Sequence, residues 1–135
     1  MRFVDTNIFI RVLAKDDPSK SERCFNLFTK ADIGEIELHT SESIISEVVY
    51  VLSSKRLYNV ARGVIAESLS TILKIKGLKI PHKSIIISAL NLYSQNSIDF
   101  EDAVLVSYTL NSKSSEIYSY DKDISKVDGI KRLEP

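Results

Sequence analysis

The chain has 135 residues, 44% hydrophobic and 27% charged, with 18 basic and 18 acidic side chains and a formal net charge of zero. That length supports one domain with a real hydrophobic core, and the composition is ordinary for a soluble globular protein. A non-specific nucleic-acid binder is usually basic, so any role of this chain on nucleic acid must rest on a local site, a metal or a partner.

The chain opens on a strand-like run over residues 2–5, with no apolar h-region and small-residue cleavage site before it. Residues 8–13 read as a helix that stops near Asp16-Asp17-Pro18. A second helix covers residues 19–30, with Cys24, Leu27, Phe28 and Ala31 at helical spacing. Gly34 breaks it, residues 35–39 form a second strand, and residues 41–54 form a helix. A turn near Tyr58-Asn59 leads to a helix over residues 60–75, which Gly77 ends. Residues 78–80 are a third strand closed by Pro81. Helices over 83–95 and 100–111 flank the polar Asn96-Ser97. Residues 116–120 form a fourth strand, and Asp128-Gly129 turns into a last one at 130–133.

Strands separated by helical connections predict an α/β fold, a three-layer α/β/α sandwich with a mostly parallel central sheet of four to five strands. No internal repeat, linker or low-complexity tract divides residues 1–135, so a single domain is expected. No apolar stretch approaches the roughly 20 residues of a membrane span. No membrane association is expected, and the cytoplasm is the expected location. Cys24 is the one cysteine, which leaves no internal disulfide and no thiolate zinc site; it reads as a small buried hydrophobe. His39 and His82 are far apart and read as strand-end residues rather than ligands.

The acidic residues carry the chemistry. Asp5 stands inside the first hydrophobic run, Arg2-Phe3-Val4-Asp5-Thr6-Asn7-Ile8-Phe9-Ile10. Aspartate is depleted in strands, and a buried unpaired carboxylate neutralises or finds a cation. The economical reason for it is a metal ion shared with other carboxylates. Ligands of parallel sheets bind beyond the carboxyl ends of the strands, where Asp5 ends the first strand and Asp121 the fourth. A helix cap or turn residue is an equally good reading of Asp121. Glu47 falls at the border of the apolar arc of its helix, which also suits a solvated glutamate whose stem covers apolar surface. Asp99 fits a helix N-cap and Asp102 the N3 position, where acids satisfy free amides; Asp102 also competes as a ligand. Together these carboxylates have the make-up of a site for Mg²⁺ or Mn²⁺ rather than zinc. Like charges brought this close repel and raise some pKa values until a cation binds.

With Asp5, Glu47, Asp102 and Asp121 in that order, the chain resembles the PIN-domain family, especially the small VapC-type toxins of toxin–antitoxin pairs. Val4-Asp5-Thr6-Asn7-Ile8-Phe9-Ile10 is similar to the family's first motif, and Ser46-Glu47-Val48-Val49-Tyr50-Val51-Leu52 to its glutamate-bearing helix. Asp99-Phe100-Glu101-Asp102-Ala103 is similar to the third motif and Tyr118-Ser119-Tyr120-Asp121-Lys122-Asp123 to the fourth. The pattern covers nearly the whole chain. Ile124 departs from it, where such proteins often carry an aromatic residue.

The resemblance implies a metal-dependent endoribonuclease in which Asp5, Glu47, Asp102 and Asp121 hold one or two Mg²⁺ or Mn²⁺ ions and activate a water. Asp123 is a further candidate ligand, because the family varies in using a second acid there. Thr6 and Ser119 would orient ligands or metal waters, with capping and turn formation as their alternative roles. A cation-loaded acidic cluster attracts RNA, so a neutral protein can be a nuclease. Arg11, Lys15 and Arg56 read as solvated surface residues, with a grip on the RNA backbone as the alternative. The resemblance also implies a homodimer and a cognate antitoxin covering the site. Competing readings are a stand-alone RNA-processing nuclease, a metal-dependent phosphatase and a non-catalytic binding module. Asn7 stands where a haloacid-dehalogenase-type phosphatase needs its second aspartate.

Overall fold

Asp17 and Pro18 show how local chemistry sets the elements of the chain, all 135 residues of which are described by a computed structural model. Pro18 is the first residue of a helix, where its missing N–H costs nothing, and the Asp17 carboxylate caps that helix by accepting the Lys20 N–H at 3.1 Å. Two compact units follow along the chain, Met1–Lys83 and Ser84–Pro135.

In the first unit, β1 (Arg2–Phe3), β2 (Leu38–His39) and β3 (Leu78–Lys79) form a parallel sheet in the order β1-β2-β3. Leu38 stands opposite both Arg2 and Leu78. Helices α1 (Thr6–Ala14) and α2 (Pro18–Asp32) connect β1 to β2; α3 (Glu42–Ser53) and α4 (Arg62–Leu73) connect β2 to β3. Phe9, Leu38, Ile45, Val48, Leu52, Ile65, Leu69, Leu73 and Leu78 are buried in the core, and the Phe9 and Phe28 rings meet at 5.3 Å.

The second strand is shorter than the expected 35–39. Residues after α2 are used to close that helix: the N–H groups of Gly34 and Glu35 bond to Ala31 O and Lys30 O, with Gly34 at φ +83°. Gly77 then leads into β3, where a Cβ would lie 2.1 Å from the Ala31 carbonyl oxygen. Only glycine permits that approach, which lets Gly77 O accept the Leu38 N–H at 2.7 Å. The Lys83 ammonium donates to the carbonyls of Ile75 and Leu78. Burial, and then repulsion from Lys79, push its pKa down.

In the second unit, α5 (Lys83–Gln95, all but its first residue) and α6 (Phe100–Asn111) precede β4 (Glu116–Tyr118) and β5 (Lys131–Leu133). The two strands pair in parallel, with Glu116 opposite Lys131. Ile86, Leu90, Ile98, Ala103, Val106, Ile117 and Ile124 are buried, and Tyr93 meets Phe100 edge-on at 6.0 Å. Strand β4 stops short of the expected residue 120, because the Ser119 hydroxyl turns the chain by accepting the Asp121 N–H at 3.0 Å. A short 3-10 turn over Lys122–Lys126 follows, unanticipated in the sequence, and Asp121 caps it.

The fold class is the expected α/β. Six helices and five strands alternate, and every strand pairing is parallel, divided into a sheet of three and a pair. No helix is long and apolar enough to cross a membrane. Cys24 is half-buried rather than buried, since it lines an open groove on α2. His39 does end β2, and His82 occupies the turn after β3 with φ +55°.

Candidate functional site

In the first unit, Asp5 follows β1 and is the N-cap of α1, where its Oδ1 accepts the Asn7 N–H at 3.2 Å. The side chain is exposed. Burial is therefore not what makes Asp5 unusual: the apolar run divides at this residue, with Val4 buried before it and Phe9 and Ile10 buried after it. Capping explains the aspartate and leaves its other oxygen free to accept.

Thr6, the first residue of α1, is only 8% exposed. Its hydroxyl donates to Glu47 Oε2 at 2.8 Å, across 41 residues of sequence. Glu47 is exposed on α3, and this bond fixes its carboxylate beside the α1 N-terminus. Thr6 thus holds the Glu47 carboxylate, while its neighbour Asp5 caps the helix. Arg11 is paired with Asp16 at 3.0 Å, and the Tyr58 hydroxyl donates to the other oxygen of Asp16 at 2.7 Å. Those two bonds, Tyr58 first, hold the Asp16 carboxyl below its ordinary range. No short-range signal in the sequence joins Asp16 to Tyr58.

In the second unit, Asp102 takes the N3 position of α6 and is half-buried. Its carboxyl hydrogen-bonds with that of Asp121 and is pushed up from 3.8 to about 6. Burial is the largest cause, followed by the hydrogen bond and charge of Asp121 and the charges of Asp99 and Glu101. Repulsion was expected to raise such a group; desolvation raises it more. Asp99 is the N-cap residue by position, but its side chain makes no capping hydrogen bond. Its charge instead contributes to the field at Asp102.

Asp121 is exposed at the end of the β4 segment and fixed twice. Its Oδ1 accepts the Asp123 N–H at 2.9 Å, and its own N–H donates to Ser119 Oγ. Arg132 clamps the same turn by donating to Ser119 O at 2.8 Å, so Ser119 positions Asp121 through the backbone. Asp123 pairs with Lys126 at 2.7 Å, which already supplies it with a cation.

Each unit thus brings two of the four acids to a defined place: Asp5 and Glu47 through Thr6, Asp102 and Asp121 through each other. Neither unit by itself gathers three or more His, Cys, Asp or Glu side chains in a metal-holding arrangement. The donor chemistry still fits a divalent cation. The oxygens are hard, no sulfur or imidazole intrudes, and a cation would relieve the repulsion that Asp121, Asp99 and Glu101 exert on Asp102.

No curated protein is similar enough to match the chain. The family model described as PIN domain matches residues 2–130. PIN domains are generally nucleases acting on nucleic acids, and they usually use divalent metal ions. The chain belongs to the PIN-domain family.

Proposed function

We propose that this chain is a Mg²⁺- or Mn²⁺-dependent endoribonuclease, the toxin of a VapBC-type toxin–antitoxin pair, acting in the cytoplasm as a homodimer that a cognate antitoxin silences. Residues 1–135 work as one nuclease domain, which the single family match over residues 2–130 supports. Asp5, Glu47, Asp102 and Asp121 are its catalytic acids and metal ligands, with Asp123 as a fifth candidate. The observation that carries the reading is the Asp102–Asp121 contact, two carboxyls held together with one pushed up to about 6. A carboxyl raised by burial and by a specific neighbouring acid is a signature of a functional site.

The chain's own residues have defined tasks. Thr6 holds Glu47 in one orientation through its 2.8 Å bond. Ser119 and Arg132 set the turn that presents Asp121. Near neutral pH Asp102 is ionised and ready to bind a cation; below about 6 it takes a proton instead. Asp5, Glu47, Asp102 and Asp121 would hold the divalent cation, which would supply water activation for attack on the phosphodiester and charge neutralisation at its oxygens.

RNA cleavage tests this directly. The wild type should cut single-stranded RNA with Mg²⁺ or Mn²⁺ and not with EDTA, and Asp121→Asn should abolish cutting. Cleavage that ignores both the chelator and the substitution would sink the reading.

A further inference from the structure

A groove of about 340 Å³ runs between α1 and α2, lined by Asn7, Ile8, Arg11, Lys20, Arg23 and Cys24. We propose that it carries the single-stranded RNA leading to the acids, with Lys20 and Arg23 as its phosphate contacts; this rests on the nuclease reading above.

Three of the six lining residues are cations and none is an acid. In a chain with 18 basic and 18 acidic side chains, that is a local excess. The Arg11 guanidinium is already paired with Asp16, so it forms a fixed wall and adds little free charge. Lys20 and Arg23 are exposed and form no ion pair. Three residues apart on α2, they project from one face of the helix. A lysine and an arginine unpaired on a concave surface suit a polyanion, the arginine by its planar fork and the lysine as a point charge.

The groove's position gives it a role. It starts at Asn7, two residues beyond Asp5, and reaches Arg11, about 6 Å along the helix at 1.5 Å per residue. Phosphates flanking the one to be cut would lie there. Ile8 and Cys24 add apolar wall between the cations, against which a sugar or base can rest. Grooves for single strands track the backbone with positive charge, which Lys20 and Arg23 supply here.

The test is binding of a short fluorescein-labelled single-stranded RNA to the full chain in EDTA, measured by anisotropy over a range of KCl concentrations. Lys20→Ala/Arg23→Ala should weaken binding about tenfold and reduce the slope of log K against log salt by about 1.4, the loss of two phosphate contacts. Lys55→Ala/Lys76→Ala, which removes two exposed cations outside the groove, should leave the slope as it is. No binding by the wild type, an unchanged slope in the groove variant, or an equal loss in the control variant would overturn the proposal. So would displacement of the RNA by an acidic phosphopeptide at equal affinity, which would make the groove a protein-docking site. Wild-type cleavage decides the nuclease reading separately, since this slope is read with no metal present.

Discussion

Asp102→Asn should make the metal-free protein more stable at neutral pH, which few substitutions of a well-placed residue do. The Asp102 carboxyl lies at about 6 against an ordinary 3.8, because burial and then Asp121 favour its neutral form. A group whose pKa is raised on folding contributes its full stability below the unfolded value. It loses that contribution as pH rises through the folded value, here between 3.8 and about 6. The displacement corresponds to about 3 kcal/mol if none of it is screened. Solvent reaches this half-buried side chain, and screening reduces the effect to about 1 kcal/mol. For a domain of this size that is about 3–5 °C in Tm. Thermal unfolding in EDTA across this pH range should show the wild type losing that much relative to Asp102→Asn. Adding Mn²⁺ should restore the wild type and not the variant. A variant less stable than the wild type at neutral pH, or one with the same pH slope, would refute the reasoning.

Three further outcomes follow from contacts elsewhere. Thr6→Val removes the hydroxyl that orients Glu47; isothermal titration with Mn²⁺ should give about tenfold weaker binding, while Thr6→Ser retains wild-type affinity. Ser119→Ala frees the Asp121 N–H from its 3.0 Å acceptor, and metal affinity should fall by up to about tenfold with the fold intact. Gly77→Ala drives a methyl to 2.1 Å from Ala31 O. Urea denaturation should record a loss of about 2–3 kcal/mol; a loss under about 0.5 kcal/mol would refute that close approach.

Much of the fold was legible because its punctuation is local. Asp17-Pro18, Gly34 and Ser41 mark helix ends by chemistry that acts within a few residues, and the helices lie within a few residues of where that chemistry puts them. Strand lengths were less legible. Each of β1, β2 and β3 has only two residues, since neighbouring residues are spent on helix closure and turns that depend on tertiary contacts. The four acids stood out as carboxylates in apolar or motif-like company. Which acid Thr6 reaches did not, since its bond to Glu47 spans 41 residues of sequence. Asp5 was singled out by a burial that it does not have. Lys20 and Arg23 do not read as a pair in the sequence, where Glu22 stands between them. Helical geometry turns that acid to another face and puts the two cations on one.

The proposed nuclease needs both Asp5 and Asp102. Asp5→Asn and Asp102→Asn test it together, assayed on a labelled RNA with Mn²⁺ beside the wild type. Metal-dependent cleavage by the wild type, lost by at least a hundredfold (~10²) in each single variant and lost no further in the double, is the predicted result. Cleavage that persists in either variant at the wild-type rate, or that needs no metal, would contradict it.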